Sequence, residues 1–319
     1  RDKGNDEGEI EYKGIDPKMV EMVLNEVLDK SPGVSWGDVA GLEFAKQSVM
    51  EAVVWPIQRP DLFCGLRQPS KGLLLFGPPG TGKTLIGKAI ATESGATFFS
   101  ISASSLMSKW IGEAEKMVRA LFTVARGHLP SVIFIDEIDS LLSSRSEGEQ
   151  DCSRRVKTEF LIQLDGAATN PNDRLLVIGA TNRPQELDEA ARRRMQKRLY
   201  IPLPDGSARK TMLRNWMKDI RLSMTEAEHE QVVVLTDGYS GSDMHALCRE
   251  AAMGPMRDPG CDIRHMASDT VRAIAMHDFE LALCQVRASV AADSMAALVE
   301  WDKQYGSFGQ PVAQGQPAH

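Results

Sequence analysis

The chain has 319 residues, of which 42% are hydrophobic and 25% charged, a composition typical of a globular protein large enough for two domain cores. Its formal net charge of −7 argues against a surface coated with nucleic-acid-binding charge, and its apolar runs are all too short to cross a bilayer. Five cysteines without CxxC spacing fit reduced thiols of the nucleus or cytoplasm. The first residue is Arg1 and no signal-peptide pattern follows it, so we expect a fragment of a longer protein.

The N-terminal residues 1–32 predict an acidic mobile linker followed by a docking helix. Residues 1–11 carry five acids against two bases, which gives a local charge of −3. Asp16 has the character of an N-cap, with Pro17 at the first helical position, and one apolar face runs on until Pro32. That face must dock either on its own domain or on a neighbouring subunit.

Short apolar runs, each suited to a strand buried on both faces, alternate with stretches of helical period. This alternation predicts an α/β domain with a parallel five-stranded sheet and flanking helices. The last run contains Pro202, which places it at an edge of the sheet or at a strand end. The runs cover residues 73–76, 97–101, 132–135, 174–179 and 198–203.

Strand patterns cease at the Pro-Asp-Gly turn of residues 204–206, and helical periodicity follows. The predicted organisation is a large α/β nucleotide-binding domain at 33–204, a small helical domain at 205–290, a C-terminal helix at 291–309 and a disordered tail at 310–319.

A glycine-rich loop, GPPGTGKT at residues 77–84, lies between the first apolar run and a helix-forming stretch. Gly80 and Gly82 permit the torsions that turn backbone N–H groups inward, and the helix that follows adds its positive dipole end. Lys83 would reach the β and γ phosphates, and the Thr84 hydroxyl would face Mg²⁺. The loop therefore predicts a binding site for a nucleoside triphosphate and magnesium.

Acidic, amide and guanidinium side chains follow the later strands. Asp136 and Glu137 end the run at 132–135, where Asp136 would hold Mg²⁺ and Glu137 would polarise the attacking water. Asn182 follows the fourth strand as a reader of the γ-phosphate. Three arginines, 192–194, end a helical stretch too far along the chain to cap their own phosphate loop.

At this point the residues resemble the AAA family of ATPases, and within it the microtubule-severing or meiotic group of katanin, spastin, fidgetin and the ESCRT-disassembling vacuolar sorting ATPase. The resemblance covers residues 31 to about 309. It rests on WGDVAGL, LLLFGPPGTGKT, VIFIDEIDSLL, SRRVKTEFLIQLDG, ATNRPQELDEAARRRMQKR and GYSGSDM, which occur in family order. FFSISASSLMSKWIGE, RLYIPLP and WDKQYGSFG are most similar to fidgetin-like proteins, with katanin and spastin next. The chain departs from the family pattern at Met195, Ser242 and Ala288.

The resemblance implies a hexameric ring, which this truncated chain could lose on dilution, with a nucleotide between subunits. It implies that Arg193 and Arg194 reach the neighbour's γ-phosphate and act in catalysis with Glu137 and Asn182. It also implies a set of residues that contact ATP, in the phosphate loop and around the adenine. The set consists of Pro79, Gly80, Thr81, Gly82, Lys83, Thr84 and Leu85 in the loop, and Asp38, Val39, Ala40, Gly41 and Gly241 near the adenine.

The same resemblance assigns Lys109, Trp110 and Ile111 to a loop that lines the central pore. An aromatic there can grip a threaded peptide, whereas the residues alone favour an ordinary surface aromatic. A nearby basic group would suit an acidic polypeptide. It consists of Arg145, Arg154, Arg155 and Lys157.

These features favour an ATP-driven protein remodeller that pulls a polypeptide through a hexamer pore. Its substrate would be tubulin tails, giving microtubule severing, or a recombinase filament on DNA, in the nucleus or cytoplasm. Alternatives are a AAA ATPase acting on ESCRT-type filaments, an ATP-gated oligomeric scaffold, and a helicase or clamp loader. The helicase is disfavoured because no basic or aromatic nucleotide track is evident in the sequence, and neither a direct nucleic-acid site nor a membrane segment is expected.

Overall fold

The structure is a computed structural model that describes residue 12 and residues 14–29, 33–109, 113–143, 151–169, 173–258 and 271–307. The chain divides into two compact units. The first comprises Arg1–Ser35, Ser48–Leu75 and Gly87–Leu199, and the second comprises Trp36–Gln47, Phe76–Ile86 and Tyr200–His319. The predicted mobile segment 1–11 and the tail 310–319 lie outside the described residues.

Within the described residues, six strands form one sheet in the order β1-β3-β4-β5-β2-β6. β3, β4 and β5 run parallel, and β1 pairs antiparallel with β3. The five predicted strands are confirmed, including the edge position of β6, and the sheet holds a sixth strand, β1. The strands are β1 (Leu28–Asp29), β2 (Gly72–Phe76), β3 (Thr97–Ser102), β4 (Ser131–Asp136), β5 (Leu175–Thr181) and β6 (Lys197–Tyr200).

Helices connect the strands of the first unit and make up most of the second. Wider π-helical turns at Val23–Val27 and Met50–Val54 continue the helices α1 and α2. The helices before β5 are α1 (Pro17–Met22), α2 (Glu43–Val49), α3 (Trp55–Gln58), α4 (Lys83–Ser94), α5 (Ala103–Lys109), α6 (Ala114–Gly127), α7 (Asp139–Leu142) and α8 (Asp151–Thr169). Those after β5 are α9 (Glu189–Arg194), α10 (Gly206–Met217), α11 (Glu226–Leu235), α12 (Gly241–Ala252), α13 (Met276–Gln285) and α14 (Ala292–Tyr305).

The core of the first unit lies on both faces of the sheet. All seven residues of β5 and the first five of β4 are buried, as expected for parallel strands covered by helices. The helix α6 turns one apolar side to this core, and its Phe122 meets Phe160 of α8 edge to face with ring centroids 5.7 Å apart. The strands that lead to the acidic and amide side chains are therefore anchored in the core.

The N-terminal helix docks on its own unit. Asp16 caps it as predicted, because its carboxylate accepts the Lys18 backbone N–H at 3.0 Å. Met19 and Val23 are buried, and the helix packs against α6. The helical stretch ends at Val27, before the predicted stop at Pro32, because the next two residues pair with the edge of β3.

The second unit has a separate core made by α10, α12 and α13. Leu213, Met244, Leu247 and Phe279 are large side chains of this core, each at most 1% exposed. A capping box, in which Ser240 and Asp243 satisfy each other's backbone N–H groups, begins α12. This cap fixes where the first turn of α12 lies within the unit.

The two units do not follow the predicted split between residues 204 and 205. Segments 36–47 and 76–86 cluster with the C-terminal part, and the last change of unit falls between Leu199 and Tyr200. These compact units are clusters of contacts and do not test the predicted domain boundaries, which stay a prediction.

No helix within the described ranges has both the length and the apolar character that a membrane span requires.

Candidate active site

The glycine-rich loop follows β2 directly and leads into α4. Gly80 and Gly82 have φ of +72° and +84°, values that favour glycine. Lys83 is only 7% exposed, and its ammonium donates to the carbonyl oxygens of Gly77 and Pro78 at 3.0 and 2.7 Å. The loop thus wraps around a cation at the start of a helix, an arrangement that suits a polyphosphate.

The remaining loop residues differ in their hydrogen bonding and exposure. The Thr81 hydroxyl donates to the Pro78 carbonyl at 3.0 Å and so closes the turn. Thr84 is the second residue of α4 and is half-buried, while Pro79 and Leu85 are exposed. The loop thus ends at the N-terminus of α4, the end of a helix that attracts anions.

The N-terminus of α12 lies against this loop. The Ser242 backbone N–H donates to the Gly80 carbonyl at 3.1 Å. A side chain at position 80 would place its Cβ 2.8 Å from the hydroxyl oxygens of both Ser240 and Ser242. A Cβ at Gly241 would lie 3.0 Å from the Gly80 carbonyl oxygen. The close approach and the positive φ favour glycine at position 80, and a side chain at Gly241, which lies beside the loop, would require the neighbouring backbone to shift.

The turn at Asp38, Val39, Ala40 and Gly41 belongs to the same unit as the loop. Val39 and Ala40 are buried, whereas Asp38 is exposed at the end of a short 3₁₀ turn. Gly41 has a φ of +65°, and a Cβ there would lie 2.8 Å from the Ala208 Cβ on α10. The second unit therefore contains every residue predicted for the phosphate loop and the adenine.

The two acids after β4 belong to the first unit. Asp136 accepts the Glu137 backbone N–H at 2.9 Å. Glu137 has a φ of +50°, which is uncommon for a residue with a side chain and occurs preferentially at functional sites. Its carboxylate accepts hydrogen bonds from the hydroxyls of Ser104 at 2.8 Å and Ser102 at 3.4 Å. This carboxylate is exposed yet held in one orientation.

Asn182 emerges at the same edge of the sheet as the acids. β4 and β5 run parallel with Ile135 opposite Gly179, so their carboxyl ends coincide. The Thr181 hydroxyl donates to the Asp139 carboxylate at 2.6 Å and accepts the Arg183 backbone N–H at 2.9 Å. Asn182 lies between these anchored residues and is exposed.

Motif reasoning missed the groups that hold these residues. Ser102 and Ser104 support Glu137, and Asp139 joins the turn after β4 to the end of β5. The signal was present in the strand register, because Ser102 is directly opposite Asp136. Aligning the carboxyl ends of the predicted strands would have placed this serine at the acidic edge.

The arginines at the end of α9 differ in their surroundings. Asp188 caps this helix, accepting the Ala191 backbone N–H at 2.8 Å. The Arg193 side chain is 77% exposed and pairs with Glu189 on its own helix. Arg194 makes two 2.6 Å bonds to the Asp165 carboxylate, and this hydrogen bonding raises the pKa of the guanidinium. Arg193 is therefore the more accessible of the two.

The predicted pore loop lies largely outside the described residues. Lys109 is the last residue of α5, and Trp110 and Ile111 follow it among the residues that are not described. Of the basic group, Arg154 and Arg155 are exposed on α8, whereas Arg145 also lies outside the described residues.

The assignment of Lys157 to that basic surface is wrong. Its side chain is 7% exposed and pairs with the Asp188 carboxylate at 2.7 Å, while its ammonium also donates to the Ser143 carbonyl. Lys157 therefore joins α8 to the N-cap of α9, and it does not face an incoming polypeptide.

Family models match both parts of the chain. Residues 73–203 match the ATPase family associated with various cellular activities (AAA), and residues 227–280 match the AAA+ lid domain. The chain belongs to the AAA family of ATPases, and its reaction is ATP hydrolysis.

The similar proteins within the family include fidgetin-like proteins and katanin. Fidgetin-like protein 1 of Xenopus laevis is 60% identical over 303 residues, which cover 95% of this chain and 46% of the relative. The chain thus spans about half the length of the relative. The crystal structure of the FIGL-1 AAA domain in complex with ADP is 54% identical, with a TM-score of 0.87 and coverage of 93% of this chain and 100% of that one. A structure on katanin self-assembly is 40% identical, with a TM-score of 0.76 and coverage of 90% and 97%.

Proposed function

We propose that this chain is the motor of a ring-shaped protein remodeller, which hydrolyses ATP between subunits and pulls a polypeptide through a central pore. The observation that carries the proposal is the exposure of Arg193 on a firmly capped helix. A guanidinium displayed to solvent in this way is available to a neighbouring subunit. The katanin relative, whose structure concerns self-assembly, supports an oligomer.

Glu137 would act on the attacking water. Its carboxylate is fixed by the Ser102 and Ser104 hydroxyls, so it can accept a hydrogen bond from water in a constant direction. Asn182, anchored between Thr181 and Arg183, would contact the γ-phosphate. Phosphoryl transfer depends mainly on such positioning and on charge stabilisation, to which a trans arginine adds about 10³ to 10⁵ in rate.

Two side chains have the oxygen chemistry that magnesium prefers, the Thr84 hydroxyl at the start of α4 in the second unit and the Asp136 carboxylate at the end of β4 in the first. Magnesium, when bound with ATP, would neutralise charge on the phosphates. The Lys83 ammonium, which donates to two loop carbonyls, would supply positive charge to the bound phosphates.

The substrate we propose is an acidic polypeptide, either tubulin tails or a recombinase filament, met in the nucleus or the cytoplasm. Of these, the fidgetin-like and katanin relatives favour tubulin tails. The exposed Arg154 and Arg155 supply positive charge on α8.

A side-by-side ATPase assay tests the proposal. The turnover of this chain is measured alone, with microtubules and with a recombinase filament on single-stranded DNA, and Glu137→Gln is run beside it as the matched inactive control. Stimulation by one polymer, abolished by Glu137→Gln, identifies the substrate. Turnover that is independent of protein concentration and of both polymers would contradict a ring motor.

A further inference from the structure

A pocket of about 420 Å³ lies in the first unit, outside the nucleotide machinery. Its apolar lining includes Ile57, Phe63 and Leu176, and both Ile57 and Leu176 are buried. Volumes of this order are typical of sites that take a ligand or an anchoring side chain.

The pocket lies at the amino ends of the strands, opposite the catalytic edge. Leu176 is the second residue of β5 and pairs with Val132, near the start of β4. Asp136 is four residues further along β4, roughly 13 Å away at the usual rise of a strand. A ligand here would therefore not compete with water or phosphate at the carboxyl ends of the strands.

The pocket carries positive charge. Lys71 and Arg174 both line it, and none of its lining residues, all of which are described, is acidic. Arg174 is exposed, whereas burial lowers the pKa of Lys71, whose ammonium donates to the Asp173 carbonyl. The neighbouring Asp173 carboxylate also interacts electrostatically with Lys71, so the exposed Arg174 is the cation more open to an incoming carboxylate at the edge of the apolar cavity.

Two exposed leucines belong to the chain segment that supplies part of the pocket lining. Leu62 is 51% exposed and precedes the lining residue Phe63, and Leu66 is fully exposed and follows the lining residue Gly65. Single exposed leucines are common, but two in the segment that lines an apolar pocket favour a contact longer than a small molecule makes.

We propose that this pocket docks an acidic peptide segment of a partner protein, which inserts one apolar side chain and places carboxylates against Lys71 and Arg174. The proposal goes beyond the proposed function and does not depend on it. Charge complementarity selects the acidic segment, and the exposed leucines select a peptide over a small molecule.

Fluorescence anisotropy with a defined probe tests the docking. The probe is a fluorescein-labelled peptide, Glu-Glu-Asp-Phe-Leu-Glu-Glu, compared with one in which glutamine and asparagine replace the acids and one in which serine replaces Phe and Leu. We expect only the first to bind. Arg174→Glu should weaken binding about fivefold or more, while Lys218→Glu, an equal charge change on an exposed residue outside the pocket, should not.

Two cysteines allow the position of the bound peptide to be checked. Cys64 lines the pocket and is exposed, and Cys284 is exposed on α13. The peptide should slow the alkylation of Cys64 and leave that of Cys284 unchanged, as measured by mass spectrometry. Basal ATPase activity should be the same in Arg174→Glu, and ATP should not displace the probe.

Equal binding by Arg174→Glu, or unprotected Cys64 at a saturating peptide concentration, would overturn the proposal. So would the binding of anilinonaphthalene sulfonate to the pocket without any binding of the peptide, since the site would then take a small aromatic anion.

Discussion

The Trp301 ring of the C-terminal helix meets the Phe76 ring edge to face, with centroids 4.5 Å apart and planes at 69°. Phe76 is the last residue of β2 and directly precedes the phosphate loop, and its carbonyl accepts the Ile201 backbone N–H at 2.8 Å. The C-terminal helix therefore supports the strand end from which the loop starts. A residue far from the loop in sequence contributes to its position.

Replacing Trp301 with alanine should weaken both the fold and ATP binding. Trp301 is 6% exposed, so its loss leaves a cavity that costs about 3 to 5 kcal/mol. We expect a lower urea midpoint and a higher Kd for a fluorescent ATP analogue. Trp301→Phe, which keeps a ring against Phe76, should retain most of both properties. Unchanged nucleotide affinity in a folded Trp301→Ala protein would show that the C-terminal helix does not influence the phosphate loop.

Glu137→Gln should bind ATP normally and hydrolyse it about 10² to 10⁴ times more slowly, because the amide cannot polarise water as the carboxylate does. Steady-state phosphate release and equilibrium nucleotide binding measure the two effects. Ser104→Ala is the matched control, since it removes the 2.8 Å bond that orients Glu137 and should lower turnover much less. Substantial turnover in Glu137→Gln would mean that another group orients the water.

The strands and the loop could be predicted because their signals are local. The buried run that ends at Asp136 and the glycines at 80 and 82 each stand in a few consecutive residues. The two-residue strand β1 could not be predicted in this way, since its pairing is decided by the free edge of β3. Lys157 was misassigned for the same reason, because its partner Asp188 lies 31 residues away in sequence.

Arginines that act across subunits make hydrolysis depend on assembly. Arg193→Ala should lower turnover by about 10³ or more while leaving thermal stability unchanged, since its pair with Glu189 is exposed. Mixing the inactive Arg193→Ala and Glu137→Gln proteins should restore part of the phosphate release, because some junctions then combine an intact Glu137 with an intact arginine. Mixed rings, verified by tagged pull-down, that stay inactive would contradict a shared site.

Arg194 is expected to behave differently from Arg193 in the same assays. Its side chain is 29% exposed and bonded to Asp165, so Arg194→Ala should cost about 1 kcal/mol of stability in addition to any loss of turnover. Urea unfolding of the two single variants distinguishes them. An equal and unchanged stability for both would show that the bond to Asp165 contributes nothing to the fold.

Trp110 should be needed to move a polypeptide and not to hydrolyse ATP. Trp110→Ala should keep most basal turnover and lose both substrate stimulation and remodelling, because alanine gives a threaded chain no surface to stack on. Trp110→Tyr keeps a ring and should be partly active. If Trp110→Ala severs or disassembles its substrate at the normal rate under matched ATP turnover, the loop does not grip the polypeptide.

The second unit should lose stability in acid through Asp278. This carboxyl is 2% exposed and accepts two bonds from Arg272, at 2.7 and 2.8 Å, and the Ala275 backbone N–H. Hydrogen bonding to Arg272 lowers the pKa of Asp278 despite burial. A lowered folded-state pKa means that the stabilisation is complete above the unfolded value of about 3.9 and is lost as the pH falls through the folded-state pKa.

Asp278→Asn should therefore cost about 2 kcal/mol at neutral pH, less than a fully buried pair would, because the Arg272 side chain is 39% exposed. The difference from the unmodified chain should begin to shrink below about pH 4, where the carboxyl of the unfolded chain takes up protons, and should be lost once the pH is below the lowered folded-state pKa. Urea unfolding at neutral and acidic pH measures both values, with Asp219→Asn, a change at an exposed aspartate, as the control. A difference that stays constant from neutral pH into acid would show that Asp278→Asn destabilises for a reason independent of charge, and that the Arg272 ion pair does not stabilise this unit.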